Sequence, residues 1–320
     1  MSGSASVPPF APGAPPLPGS PGGPEGSIYD LGYRNYDGPR LGRTHAIRAL
    51  FVHTLKVCYG IGRGGRAKLA PFILLAFATI PAVVAVGALA LIRQVGGGQI
   101  PEEASPVRHD TYYGIVATLV ALFCAVQAPE TLGRDQRHHL LSVYFARALR
   151  RTDYALARFA GIAAAVLVFV LLPQLIIFFG LVLSAEDVAA EFGREARFLP
   201  GIFGQAIVLS GVLGGISAAV SAYTPRRVYA TTAIIVLIAV TPLVSAVLIE
   251  LGAISLATLL VLLSPADILA ATNAWWFDSR PESTAIFLTD LPLEAFLAAA
   301  AVITAACAAI LVRRYERIAA

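Results

Sequence analysis

The sequence predicts an all-α integral membrane protein of six transmembrane helices with both ends on the cytoplasmic side, and three observations carry that reading. Of 320 residues, 57% are hydrophobic and 14% charged, where an ordinary soluble domain carries about 25% charged residues. The apolar residues gather into runs long enough to cross a hydrocarbon layer of about 30 Å at ~1.5 Å per helical residue. Lys and Arg fall between those runs and alternate in abundance from one connection to the next, as retention of positive loops in the cytoplasm requires. A mean hydropathy of +0.72 agrees that water is not the main solvent.

Residues 1–28 are chiefly Pro, Gly, Ser and Ala, a composition that cannot bury enough apolar area to offset chain entropy. A disordered cytoplasmic tail is predicted. It has neither the charged start nor the apolar stretch of a signal peptide, so the amino terminus is expected to stay inside. Residues 29–68 form a cytoplasmic segment. Within it Ile47, Leu50, Phe51, Leu55 and Cys58 recur at helical spacing, with His45, Arg48, His53 and Lys56 on other faces and Thr44 as cap. This predicts an amphipathic helix in the headgroup plane, with Arg48 and Lys56 each drawn to anionic lipid by about 1 kcal/mol.

The transmembrane domain, 69–320, contains spans at about 69–92, 111–129, 160–183, 198–223, 229–249 and 293–312. The first carries no charge. The second is the shortest and holds Cys124 and Gln127 near its inner end. Pro173 lies inside the third, where a kink is expected, and Pro242 inside the fifth. The fourth presents Ser210, Gly211, Gly214 and Gly215, small residues that let helix backbones approach closely, in this chain or in a second copy.

Topology follows from the cations. The inner side collects Arg34, Arg40, Arg43, Arg48, Lys56, Arg63, Arg66 and Lys68, then the arginines from Arg134 to Arg158, then Arg226, Arg227, Arg313, Arg314 and Arg317. The outer side has Arg93, Arg108, Arg194, Arg197 and Arg280. The apolar stretch 254–263 invites a seventh span, but that would bring Asp278, Glu282 and Asp290 inside and put the terminal arginines outside. A re-entrant or interfacial hairpin between spans five and six is predicted instead, broken at Pro265, with Trp275 and Trp276 at the headgroup level.

Other chemistries find little footing. Gly60, Gly62 and Gly65 match the letters of a dinucleotide fingerprint but lack the strand and soluble βαβ unit it needs. No phosphate-cradling G-x-x-x-x-G-K-[ST] run occurs. His138 and His139 are adjacent, which suits chelation poorly, and Cys58, Cys124 and Cys307 are odd in number, with two inside apolar runs, so they are read as packing residues. No catalytic, cofactor or metal site is expected, and the scattered basic residues argue against a nucleic-acid partner. An ion-coupled carrier would be expected to place ionisable residues at mid-bilayer, where these spans have essentially none.

The informative stretch is the inner connection 130–158. Glu130 and Arg134 stand four apart in the favourable order, and Leu140, Leu141 and Tyr144 supply an apolar stripe. It reads as a helical elbow, or more plainly as a solvated connector whose arginines set topology.

Tyr29–Arg34 (YDLGYR), Tyr36–Arg40 (YDGPR), the turn Gly62–Lys68 (GRGGRAK), and Ala128-Pro129-Glu130 through Asp135 and Arg137 together resemble bacterial ABC-2 type transporter permeases, over nearly everything after the tail. In that family the loop between spans two and three bears an acidic residue, an acid and arginine pair, then an Arg-Pro-Leu segment and a closing basic residue. By position these fall on Glu130, Asp135, Arg137, Leu140, Arg147, Leu149, Arg151 and Arg158, with Arg134 beside them. The family proline is Ala148 here, a glycine expected near His139 is missing, and the closing lysine is Arg158. The resemblance implies a multi-pass permease of the cell membrane, without catalysis of its own. It would pair with a second, identical or related permease subunit and with separate ATP-binding subunits that hold ATP and Mg, for export. The alternative is a non-transporting membrane scaffold or sensor that binds a cytoplasmic partner.

Overall fold

A computed structural model describes residues 38, 41–96, 108–146, 149–281 and 283–318. The tail predicted over 1–28, and Arg147 of the connection 130–158, lie outside the described residues. Those described form helices and short connections, with no strand among them.

Helix α1 is Gly42–Cys58; Leu41 stands at its N-cap without a side-chain bond, so Thr44 lies inside the helix and is not the cap that the sequence suggests. It buries Leu50, Thr54, Val57 and Cys58, with Ile47, Phe51 and Leu55 half-buried beside them. After a turn comes α2, Gly65–Gly96. Gly60 in that turn has φ +66°, and a Cβ there would stand 2.5 Å from Ala67 O, so conformation and space both require glycine.

Helix α3, His109–Ala128, runs through a π-helical turn, Pro129–Gly133, into the single turn α4, Arg134–Arg137. Short α5, Leu141–Phe145, precedes α6, Arg151–Leu183, which continues without a break through Pro173. Then follow α7, Val188–Glu195, a 3-10 turn Ala196–Phe198, α8, Leu199–Tyr223, and α9, Arg227–Glu250. The chain closes with α10, Ile254–Leu263, α11, Pro265–Phe277, α12, Thr284–Leu288, and α13, Leu293–Arg317.

Six segments are long and apolar enough to cross a membrane, Gly65–Val95, His109–Arg137, Arg151–Leu183, Val188–Tyr223, Arg227–Glu250 and Leu293–Arg317. Each contains one predicted run, and the chain is a multi-pass membrane protein. The helices outlast the apolar runs because an α-helix satisfies its own backbone in water and lipid alike, whereas hydropathy marks only the part suited to hydrocarbon. Helices α10 and α11 meet at a bend of 79°. Pro265 cannot continue the ladder, and Ser264 Oγ accepts the Asp267 N–H at 3.4 Å to start the new helix. Counted as one crossing, that pair would make a seventh span.

The core lies along α8. Within its apolar window 72% is buried, against 17% for α2, 22% for α13 and 11% for α9, so α8 is enclosed by protein while the other three turn Phe77, Val302 and Leu243 outward. Small residues make that enclosure possible. A Cβ on Gly211 would come within 2.8 Å of Thr304 on α13, and one on Gly215 within 3.3 Å of both Cys307 and Phe159. Gly214 faces Ala163 of α6, and Ser210 Oγ bonds back to Ala206 O at 2.6 Å, which spares a buried hydroxyl. The small face read from the sequence thus packs on α13 and α6 of the same chain.

Candidate functional site

At the end of the bundle where α1, α4 and the start of α6 meet, here the α1 end, the chain buries acids and cations together. Pro129 opens the π turn, and Thr131 Oγ donates to Ala128 O at 2.8 Å. The turn leaves Glu130 between the α1–α2 turn and the start of α9, one carboxylate oxygen accepting from Arg63 Nη2 at 2.8 Å and the other ion-paired with Arg227 Nη1 at 2.9 Å. Both oxygens are therefore taken by cations from distant elements, and the helical pair with Arg134 expected from the spacing is not how Glu130 is used. One side chain ties the α1–α2 turn to the start of α9.

Five residues on, Asp135 is 5% exposed and Arg158 1%. Asp135 Oδ2 accepts from Tyr154 Oη at 2.6 Å and from Arg158 Nη2. Arg158 Nη1 donates to Thr54 Oγ1 at 3.0 Å, and the guanidinium sits 5.4 Å from the Tyr154 ring centroid and 5.7 Å from that of Tyr144. Gly161 lets α1 come close enough for Thr54 to take part, since a Cβ there would be 2.6 Å from Thr54 Cβ. Gln136 Nε2 extends the network to Ala222 O at 2.9 Å and Tyr315 Oη at 3.2 Å, so α4 is fixed to α6, α8 and α13 at once.

The other predicted residues divide between brace and surface. Arg151 donates to Glu316 O at 3.0 Å and Leu149 is buried. Arg134 and Leu140 are half-buried, while Arg137, His138, His139, Val143 and Arg150 are exposed. His139 holds φ +53°, the left-handed conformation that glycine adopts at no steric cost. Arg48 and Lys56 are exposed on α1. Partial burial, then the Arg158, Arg134 and Arg63 cations, hold the His53 imidazole below its ordinary range, with Asp135 opposing. Trp275 Nε1 reaches Glu294 Oε1 at 3.3 Å. Trp276 instead lays its ring where Gly204 of α8 leaves room, and the sequence alone offered only its amphipathic chemistry.

Two features escaped sequence reasoning. Arg43 grips Asp153 through Nε at 2.7 Å and Nη2 at 2.6 Å, and so clamps the start of α1 to the start of α6. At the opposite end, here the α7 end, Arg93 bonds Glu191 at 3.0 Å, and buried His109 sits between Gln174 Oε1 at 2.7 Å and Glu195 Oε2 at 3.3 Å. Each pairing joins residues 65 or more positions apart, and no local spacing signals it.

The arrangement offers no nucleophile beside a base. No cluster of three metal-ligating side chains occurs among the described residues. What it provides is a stiff junction that joins five elements and leaves a short, partly basic knob outside. No protein-family model matches the sequence, and no curated protein matches it.

Proposed function

We propose that this chain is the permease subunit of an ATP-binding cassette transporter of the ABC-2 type, working with a second permease subunit and separate ATP-binding subunits at the cell membrane. Export is the direction proposed. The α1 end faces the cytoplasm, as the excess of cations there favours, and α10 and α11 form a re-entrant hairpin. The knob Arg137–Ala146, with Arg150, is the surface on which an ATP-binding subunit docks.

One observation carries the reading: the knob is anchored by a buried Asp135–Arg158–Tyr154 core. Driving a two-state bundle from 1:99 to 99:1 takes about 5.5 kcal/mol of differential binding. A loop held only by solvent would yield under such a load, whereas a knob braced to α6, α8 and α13 passes it on. Glu130, Asp135 and Arg158 thus hold the coupling surface in shape, and Arg137, Val143 and Arg150 meet the partner.

Cross-linking from the knob in the native cell tests this. With Val143→Cys and a thiol-reactive photo-cross-linker, the expected product joins the chain to a polypeptide bearing a Walker A motif. Products with a partner lacking any nucleotide motif would favour the scaffold or sensor reading. Labelling of the same cysteine by an impermeant reagent outside intact cells would overturn the proposal.

A further inference from the structure

Between α3, α8, α9 and α11 lies a cavity of about 470 Å³, inside the range of roughly 300–1,000 Å³ typical of small-molecule sites. Its deeper wall is apolar and built largely of small side chains. Gly114, Ala117 and Ala121 stand three and four residues apart on one face of α3, and Ile238 of α9 with Leu269 and Ala270 of α11 close it from the other sides. Asp110 and Ala121, both in the lining, are eleven residues apart along α3, or about 17 Å of helix. The space is therefore long, and it runs from the α7 end well into the bundle.

The mouth is charged, and its charges leave a cation over. Asp110 lines it, but both carboxylate oxygens are already matched, since Arg108 donates from Nε to Oδ1 at 3.1 Å and from Nη2 to Oδ2 at 2.6 Å. Thr111 Oγ1 adds a contact to Oδ1 at 3.4 Å. Arg280 lines the same mouth. Helix α11 ends at Asp278 in the left-handed conformation, φ +49°, and the chain so turned carries Ser279 and Arg280 to the opening. Asp278 itself is exposed and is not part of the lining. Arg280 is exposed and has no hydrogen bond or ion pair among the described residues. An unpaired guanidinium favours an anion, and its fork of N–H groups matches the oxygens of a phosphate or carboxylate.

We propose that the cavity binds one hydrocarbon chain of an anionic amphiphile, with the phosphate or carboxylate head on Arg280 and Ser279 and the tail along α3. Bilayer hydrocarbon is as apolar as the deeper wall, so the tail alone gains little by leaving the bilayer. The charge of the head therefore decides occupancy. The site lies at the end of the bundle opposite the proposed docking knob, and it does not depend on the transport reading.

The test uses the full chain in phosphatidylcholine nanodiscs without any ATPase, so that its failure and that of the transport reading are distinct. The probe is a dodecyl phosphate carrying a diazirine on its tail. The expected result is saturable labelling of residues between 113 and 122, 235 and 242, or 266 and 274. Unlabelled dodecyl phosphate should displace the probe at least tenfold better than dodecanol or dodecyltrimethylammonium, which have the same tail without the negative charge. Arg280→Gln, a change at an exposed position, should bring the three competitors to parity. Ala117→Phe should abolish labelling by filling the space, and Ala270→Phe serves if that variant does not fold. Adding phosphatidylglycerol to the discs separates two sources of such a head: reduced labelling assigns an anionic phospholipid as occupant, and unchanged labelling a free amphiphile. Non-saturable labelling, equal displacement by the three competitors in the unmodified chain, a preference that survives Arg280→Gln, or labelling that survives the phenylalanine in folded protein would overturn the proposal.

Discussion

The two ends of the bundle differ in how their buried polar groups are paired. At the α1 end Asp135 meets Arg158 and Tyr154, Glu130 meets two arginines, and Arg43 clamps Asp153. At the α7 end Arg93 and His109 make pairs with Glu191 and Glu195, and Gln205 and Asn273, which line a cavity, each have a carbonyl oxygen without a partner among the described residues. Charges locked in pairs make an element stiff, because removing either partner strands the other in a low dielectric. The α1 end is braced by paired charges, and the α7 end lies beside a cavity.

Several substitutions would break or sharpen this contrast. The largest effect is expected at the buried pair, where Asp135→Asn or Arg158→Met should each destabilise the bundle by about 3–5 kcal/mol, with the double replacement recovering much of the loss. Chemical denaturation in mixed micelles measures it, and additive losses would mean the two side chains do not act as a pair. In the middle of the bundle, Gly211→Ala should cost about 1–3 kcal/mol by overpacking against Thr304, and Thr304→Ala should relieve most of it. At the α7 end Glu191→Gln should cost about 1 kcal/mol, since Arg93 and Arg194 are 25% and 53% exposed and keep other solvation. A loss at Glu191 as large as that at Asp135 would erase the asymmetry. His139→Gly should raise stability by up to about 1 kcal/mol by relieving the left-handed backbone, read as a higher Tm in one detergent. The smallest effect is a pH slope. His53 titrates below its unfolded value near 6.5, so its contribution is present above that value and is lost as pH falls through the depressed one. His53→Gln should flatten the fall in Tm between pH 7.5 and 5, a shallow one because the ring is only partly buried.

Much of the architecture was legible in the residues themselves. Each apolar run became a helix, Pro265 broke the chain where its missing N–H required, and the small residues of α8 marked the most enclosed helix. The connection 130–158 drew notice for Glu130, Asp135 and Arg158, but their partners were not legible. Spacing suggested a pair between Glu130 and Arg134, while the structure gives Glu130 to Arg63 and Arg227, one 67 positions earlier and the other beyond two further long helices. Nor did any pattern mark Gln205, whose amide ties α8 to Leu269 O of α11.

What the sequence determined by itself is the solvent of each segment, because hydropathy, proline and the distribution of cations act locally and sum along the chain. Which acid finds which cation, and where the helices leave a space, was decided only when α1, α6, α8 and α11 came together. Those contacts depend on distances between residues that share no local periodicity.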